Sequence, residues 1–208
     1  MKKEIILFVG KQGAGKGTQA EVVSKEIGFK HISTGELLRN LKGSLKKELN
    51  LYIEKGILIP DELMLEILKK EMKKEDKIIL DGFPRNLRQA KLLDNLFKIT
   101  KVIEIYISDE EAIKRLEGRR YCEICGRNYN LITFPKPKED ELCDICKVKL
   151  KKRKDDNKEA IKKRLETYKE KTLPILDYYR ERGVKVIRID GSGKIEDVKK
   201  RILKIFKS

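Results

Sequence analysis

A nine-residue run, Gly10-Lys-Gln-Gly-Ala-Gly-Lys-Gly-Thr18, follows the apolar segment Ile5–Val9 and opens a stretch of helical periodicity from Gly17 to Ile27. So much glycine at a strand-to-helix junction suits few folds. It lets successive backbone N–H groups turn inward, and the helix N-terminus adds partial positive charge, so the junction becomes a cradle for phosphate. The run follows G-x-x-x-x-G-K-[ST] through Gly15 and Lys16, with Gly17 where a hydroxyl residue is usual and Thr18 one place later. Lys16 in this frame reaches the outer phosphates, and Gly13, Ala14, Gly15, Gly17 and Thr18 complete the loop. The competing reading is an ordinary glycine-rich turn, and the position directly after the first strand argues against it.

The rest of the chain repeats the strand-then-helix rhythm. Strand-like apolar runs fall at Ile5–Val9, Lys77–Asp81, Lys101–Ile107 and Val184–Asp190. Helical periodicity covers Gly17–Ile27, Glu62–Lys74, Leu87–Phe97, Asp109–Glu117, Lys158–Arg182 and Ile195–Phe206, with Pro174 expected to kink or divide the long one. Nearly all-apolar strands separated by helices predict a parallel sheet covered on both faces. Two segments break the rhythm and read as insertions: Ser33 to Asp61, with two short helical stretches, and the Cys-, Pro- and Lys-rich Arg119 to Lys154.

Hydrophobic residues at 39% support a packed core, and a formal charge of +16 points to anionic partners, either nucleic acid or nucleotides. No stretch approaches the roughly 18 to 20 apolar residues of a membrane span. The opening apolar run is too short for a secretory leader. The expectation is a cytosolic protein with no membrane partner.

All four cysteines lie in the second insertion, as Cys122-x-x-Cys125 and Cys143-x-x-Cys146 with 17 residues between the pairs. This spacing fits tetrahedral zinc held by four thiolates. Disulfides suit a cytosolic chain poorly, while iron is a second metal that four thiolates accept. Asp81 ends a buried strand at the carboxyl edge of the sheet, where α/β sites form. A carboxylate there can orient the water ligands of Mg²⁺.

The loop in its form G-x-x-G-x-G-K-G-T resembles that of the adenylate kinase family, which usually has Pro where Gln12 stands here. Three further stretches match the same family in order: His31-Ile-Ser-Thr-Gly-Glu-Leu-Leu-Arg39, Gly56-Ile-Leu-Ile-Pro-Asp-Glu62, and Asp81-Gly-Phe-Pro-Arg85 with Gln89 four residues on. The resemblance implies an α/β, P-loop NTPase-type fold: a five-stranded parallel sheet flanked by helices, a helical AMP-binding insertion and a small zinc-binding lid. The core would comprise 1–32, 63–117 and 157–208, the AMP-binding insertion 33–62 and the lid 118–156.

It also implies an AMP site from Thr34, Arg39, Ile57, Leu58, Ile59, Gly82, Phe83, Pro84, Arg85 and Gln89. Arg39 and Arg85 would hold the α-phosphate and Gln89 would pair with the adenine edge. Arg119, Arg153 and Arg164 would converge on the transferring phosphoryl group, the last two also touching AMP. Arg115 would stack on the ATP base, Gly193 would offer it a backbone carbonyl, and Asn128 and Tyr129 would contact ATP from the lid. His31, the only histidine, is expected to be structural, because phosphoryl transfer needs positioning and charge neutralisation more than a base.

The activity so implied is reversible, Mg²⁺-dependent, direct in-line transfer between ATP and AMP by a cytosolic monomer, with a structural zinc. A zinc-ribbon nucleic-acid-binding protein is the reading from another class. It predicts aromatics interleaved with the basic residues, yet only Tyr121, Tyr129 and Phe134 lie near the knuckles, and it leaves Lys16 and Asp81–Arg85 without a role. A UMP or CMP kinase would share the core but usually has a short lid. GTP remains an alternative donor.

Overall fold

Successive side chains of β1 (Glu4–Val9) feed two different cores. Ile5, Leu7 and Val9 enter one hydrophobic cluster, and Ile6 and Phe8 enter the other. That alternation is the period-two geometry of a strand, and burial on both faces explains why β1 reads as a continuous apolar run. The computed structural model describes residues 3–41, 46, 49, 52, 59–153 and 155–207, without the side chains of residues 39 and 40. Ile57 and Leu58, and the side chain of Arg39, therefore lie outside the described residues.

Chain order continues with α1 (Lys16–Ile27), β2 (Lys30–Ser33), α2 (Thr34–Asn40), α3 (Asp61–Met72), β3 (Lys77–Asp81), α4 (Leu87–Asp94), β4 (Ile99–Tyr106) and α5 (Asp109–Gly118). There follow β5 (Arg119–Tyr121), β6 (Asn128–Asn130), α6 (Lys158–Thr167), α7 (Pro174–Glu181), β7 (Lys185–Asp190) and α8 (Ile195–Lys207). Five strands form one parallel sheet in the order β2-β3-β1-β4-β7. One face is covered by α3, α4 and α7 through Leu68, Met72, Leu93, Ile175 and Tyr179. The other is covered by α1, α5, α6 and α8 through Val23, Leu116, Ile161, Leu165 and Ile202. Each such side chain, fully buried, stabilises the fold by about 1.5–3 kcal/mol before the entropy of ordering it is subtracted.

The five-stranded parallel sheet is as expected, but its fifth strand, β2, was not among the four apolar runs. Lys30-His-Ile-Ser33 is short and half polar because it is an edge strand, paired on one side only. The long helical stretch is divided at Pro174, which stands at the first position of α7. A π-helical turn over Tyr168–Thr172 precedes it, with the Leu173 N–H donating to Tyr168 O at 2.8 Å. Pro has no N–H to give, so the helix widens and restarts there.

β5 and β6 form a separate antiparallel pair at the base of the cysteine-bearing segment. Gly118 must be glycine: a Cβ there would stand 2.2 Å from Asn130 Oδ1. Among the described residues, no helix is long and apolar enough to cross a membrane.

Candidate active site

The register of the sheet brings the site together. Phe8 of β1 pairs with Asp81 of β3, and Ser33 of β2 pairs with Asp81 from the other side. The Asp81 carboxylate thus stands one strand away from Gly10, where the chain leaves β1. Gly10 itself has no room for a side chain, since a Cβ would lie 2.4 Å from Ile105 O. Gly13 and Gly15 have φ of 83° and 87°, a left-handed backbone that favours glycine.

Helices α4, α5 and α6 begin with side-chain caps from Asn86, Ser108 and Asn157. Helix α1 begins at Gly15, which offers none, and has no acidic residue in its first turn. Its leading N–H groups and positive dipole end face the loop, an arrangement suited to an anion.

Lys16 folds back over this loop. Its Nζ donates to Gly10 O at 2.7 Å and Lys11 O at 3.0 Å. Dense surroundings pull its pKa down to about 8, the Asp81 charge opposes that fall, and the nearby charges of Arg85, Arg164 and Arg119 reinforce it. These three guanidiniums, from three separate segments, therefore share one electrostatic neighbourhood with the lysine.

Asp81 is buried, and burial acts to raise its pKa. The histidine beside it and the charges of Lys16 and Arg85 outweigh burial and hold the carboxyl below its ordinary value. We assign most of this to the charges, because His31 Nε2 lies 3.9 Å from Asp81 Oδ2, beyond good hydrogen-bond distance. Asp81 Oδ2 accepts weakly from Ser33 Oγ at 3.4 Å, while Asp81 Oδ1 and His31 Nε2 are buried with no hydrogen-bond partner among the described residues. A Cβ on Gly17 would come 3.3 Å from Asp81 Oδ2, so glycine at 17 keeps space open beside the carboxylate. An ionised, partly unpaired carboxylate beside a phosphate cradle fits a hydrated divalent cation. Gln12, where Pro is usual in the resembled family, also has a buried Oε1 without a hydrogen-bond partner among the described residues.

On the β3 side, Thr34 is buried and its Oγ1 donates to Asp81 O at 3.3 Å. Gly82 is packed so that a Cβ would meet Thr34 Oγ1 at 2.4 Å. Arg85 Nε donates to Gly82 O at 2.7 Å, and Thr172 Oγ1 donates to Arg85 O at 2.7 Å, so both ends of this arginine are positioned by the core. Phe83, Ile59 and Gln89 are buried, and Pro84 follows Phe83 through a cis peptide. Gln89 already has partners: Oε1 accepts from the Arg85 N–H at 2.7 Å, and Nε2 donates to Asp61 Oδ1 at 2.8 Å.

Arg115 lies across the phosphate loop from β7. Its Nε pairs with Glu111 Oε1 at 2.7 Å, and Nη2 donates to Gly191 O at 3.1 Å. The Gly191–Gly193 turn, with Gly193 at φ 92°, is thus held beside the loop. Arg119 and Arg164 are gathered by Asp155 and Asp156, and Arg153 Nη2 reaches Asn128 Oδ1 at 2.5 Å. Asp155, Asp156 and Asn130 received no role from the sequence. Two adjacent acids following Arg153 and Lys154 were the visible signal, since buried arginines require counter-charges. Asn130 Nδ2 ties the cysteine-bearing segment to α5 by donating to Arg115 O at 2.8 Å.

The four cysteine Sγ atoms lie within 4.8 Å of one another, with Cys125 and Cys143 at 3.7 Å. Four thiolates around one ion at a bond length of about 2.3 Å would stand about 3.8 Å apart, so the cluster fits a tetrahedral metal. All four thiols are free. The Cys146 N–H donates to Cys143 Sγ at 3.4 Å and Tyr129 Oη lies 3.5 Å from it. The Cys146 N–H contributes most, burial opposes it and Tyr129 assists, with the Cys143 thiol pulled down to about 6. Tyr129 is buried and its hydroxyl also accepts from the Asp144 N–H at 3.0 Å, so its polar end is engaged by the cysteine knuckle.

A glycine cradle at an uncapped helix start, a lysine and several arginines sharing one field, and a low-pKa carboxylate one strand away define a P-loop nucleotide phosphotransferase. Comparison with known sequences narrows the class. The family profile of adenylate kinase matches residues 8–184. Adenylate kinase of Petrotoga mobilis is 44% identical over 211 residues, covering 98% of this chain and 97% of the relative. That of Borrelia garinii subsp. bavariensis is 42% identical over 207 residues, covering 97% of each chain. That of Caldicellulosiruptor bescii is 43% identical over 210 residues, covering 96% and 97%. The chain belongs to the adenylate kinase family and is a nucleoside monophosphate kinase.

Proposed function

We propose that this enzyme transfers the terminal phosphate of Mg-ATP to AMP, reversibly and in line, giving two ADP. The observation that carries the reading is the common field around Lys16, in which Arg85, Arg119, Arg164 and Asp81 all act on one ammonium. Such a concentration of positive charge is costly in a free protein and is offset when polyphosphate enters.

In this reading Gly13, Ala14, Gly15, Gly17 and Thr18 cradle the ATP phosphates, and Lys16 exchanges its carbonyl partners for phosphate oxygens. Arg115 and the Gly193 carbonyl meet the donor base, and Asn128 lies at the lid's approach to it. Thr34, Arg39, the 57–59 segment, Gly82–Arg85 and Gln89 hold AMP, with Arg85 gripping its phosphate. Arg119, Arg153 and Arg164 neutralise charge on the moving phosphoryl group, with no covalent enzyme intermediate. Asp81 would hold the water ligands of Mg²⁺, an ion that would supply positive charge against the phosphates. Residues 33–62 and 118–156 close over a core made of 1–32, 63–117 and 157–208, excluding water that would otherwise hydrolyse ATP. Cys122, Cys125, Cys143 and Cys146 would hold Zn²⁺ as a structural ion. The enzyme acts as a cytosolic monomer, with nucleotides and not nucleic acid as its partners.

The test is a steady-state assay with Mg-ATP and AMP, UMP, CMP or GMP. Strong preference for AMP, with two ADP formed per cycle, supports the reading. Preference for a pyrimidine overturns the acceptor assignment and keeps the mechanism, while failure with every acceptor overturns both.

A further inference from the structure

The side chain of Gln89 is 2% exposed, and both ends of its carboxamide are engaged. Oε1 accepts from the Arg85 N–H at 2.7 Å, and Nε2 donates to Asp61 Oδ1 at 2.8 Å. A backbone N–H can only donate and an ionised carboxylate can only accept. Turning the amide over would set NH₂ against N–H and oxygen against carboxylate, replacing two hydrogen bonds with two repulsive contacts. The amide therefore has one orientation.

Asp61, in the first turn of α3, is itself held. Its Oδ1 also accepts from Asn86 Nδ2 at 3.0 Å, and Asn86 Oδ1 caps α4 by accepting from the Gln89 N–H at 2.7 Å. Arg88 Nε lies 4.0 Å from Asp61 Oδ2. The carboxylate is 12% exposed, so water competes little for it.

A primary amide has two N–H donors and two acceptor lone pairs. Here one of each is spent on the protein, which leaves one donor and one acceptor in a fixed order. A 6-aminopurine offers an amino donor next to a ring-nitrogen acceptor, and a 6-oxopurine offers the reverse pair, acceptor next to donor. A free glutamine could satisfy either by flipping. We propose that Asp61 is a specificity-determining positioning residue, which fixes the polarity of the Gln89 amide so that a 6-amino purine monophosphate is accepted and its 6-oxo counterpart refused. The inference rests on the assignment of Gln89 to the acceptor base.

The experiment measures kcat/KM with Mg-ATP for AMP and for IMP, which differ at position 6 and hardly in size. Wild type is compared with Asp61→Ala, Asp61→Ser, Asp61→Asn and Gln89→Ala, each checked by thermal melting. Ala removes the acceptor, and a Ser hydroxyl can donate or accept, so in either variant only the Arg85 N–H still orients the amide and one of the two constraints is lost. Both should reduce the preference for AMP over IMP by about tenfold, the scale of one amide–base match. Asp61→Asn should retain most of the preference, because Asn86 Nδ2 keeps an oxygen turned towards Gln89. A purely structural role would lower both acceptors in parallel, and an unchanged AMP:IMP ratio in a folded Ala or Ser variant overturns the inference. If Gln89→Ala also leaves the ratio unchanged, the assignment of Gln89 to the base is wrong. If Gln89→Ala abolishes the preference while Asp61→Ala keeps it, only the role of Asp61 fails.

Discussion

Arg119 and Asp156 meet as a two-pronged pair, Nε to Oδ2 at 2.7 Å and Nη2 to Oδ1 at 2.5 Å, with the carboxylate side chain fully buried. Arg164 Nη1 approaches the same Oδ1 at 3.4 Å and Asp155 Oδ2 at 2.9 Å. Two guanidiniums from separate elements, β5 and α6, are thus spaced by two neighbouring carboxylates. Burial draws the pKa of Arg164 down to about 10, Asp155 opposes that, and Arg119 adds to it.

Removing Asp156 should therefore cost both stability and turnover. Asp156→Ala leaves Arg119 with no carboxylate at its fork, and breaking such a buried pair costs about 3 kcal/mol. The two arginines lose their fixed spacing, so kcat should fall about a hundredfold with a smaller change in KM. Denaturant unfolding and steady-state kinetics read the two effects. Wild-type kcat in Asp156→Ala would show that the pair only staples the lid's base.

The charge state of Lys16 sets an alkaline limit. With its pKa drawn down to about 8, the free enzyme holds half of these ammoniums neutral at that pH. Bound polyphosphate favours the charged form, so nucleotide binding takes up a proton near pH 8 and weakens as pH rises further. kcat/KM for ATP should fall about tenfold per pH unit well above 8. Titration calorimetry at pH 8 in buffers of different ionisation enthalpy should show that uptake, and it should vanish in Lys16→Arg. Binding without proton uptake would place the lysine's pKa elsewhere.

Arg85 acts through its planar fork as well as its charge. Its Nε is committed to Gly82 O, which leaves the remaining donors oriented by the backbone. Arg85→Ala and Lys16→Ala should each lower kcat by about 10²–10³ while melting close to wild type. Arg85→Lys should recover little, because a single ammonium cannot hold Gly82 O and grip a phosphate with two donors. Full recovery in the lysine variant would reduce the role of Arg85 to its charge.

What was legible in the sequence followed chemistry that is local to a few residues. The loop from Gly10 to Thr18 announces itself because glycines and a lysine at fixed spacing have few other uses, and the paired cysteines do likewise. β1, β3, β4 and β7 were visible because burial on both faces makes strands apolar throughout. β2 was hidden because an edge strand has little apolar content to display. The π turn before Pro174 was hidden for another reason: proline marks where a helix is interrupted and not how the preceding turn adapts. Asp155, Asp156 and Asp61 act through partners at distant positions or in another element, and spacing cannot show that. The contact of the Tyr129 hydroxyl with Cys143 was hidden for the same reason, since only the fold turns the one towards the other.

The cysteine-bearing segment is the part whose stability would depend most on an ion held by its four thiols. Among its described residues the buried apolar cluster is Cys122, Tyr129, Cys143 and Leu150, with Cys146 and Val148 packed against it. Ile124, Phe134 and Ile145 stay largely exposed. So small a cluster cannot offset the ordering entropy of the surrounding chain. Four metal–thiolate bonds can, because the binding free energy of a structural metal is also folding free energy. Stripping the metal with a strong chelator should therefore lower the melting temperature of this segment, and restoring Zn²⁺ should recover it. Cys143→Ser should lower affinity for the ion as measured by competition with a chromogenic chelator. Tyr129→Phe, which removes one hydrogen bond to that sulfur, should weaken metal retention about 10-fold. A melting curve unmoved by chelation, with the ion shown to have left, would mean that the protein holds this segment together without it.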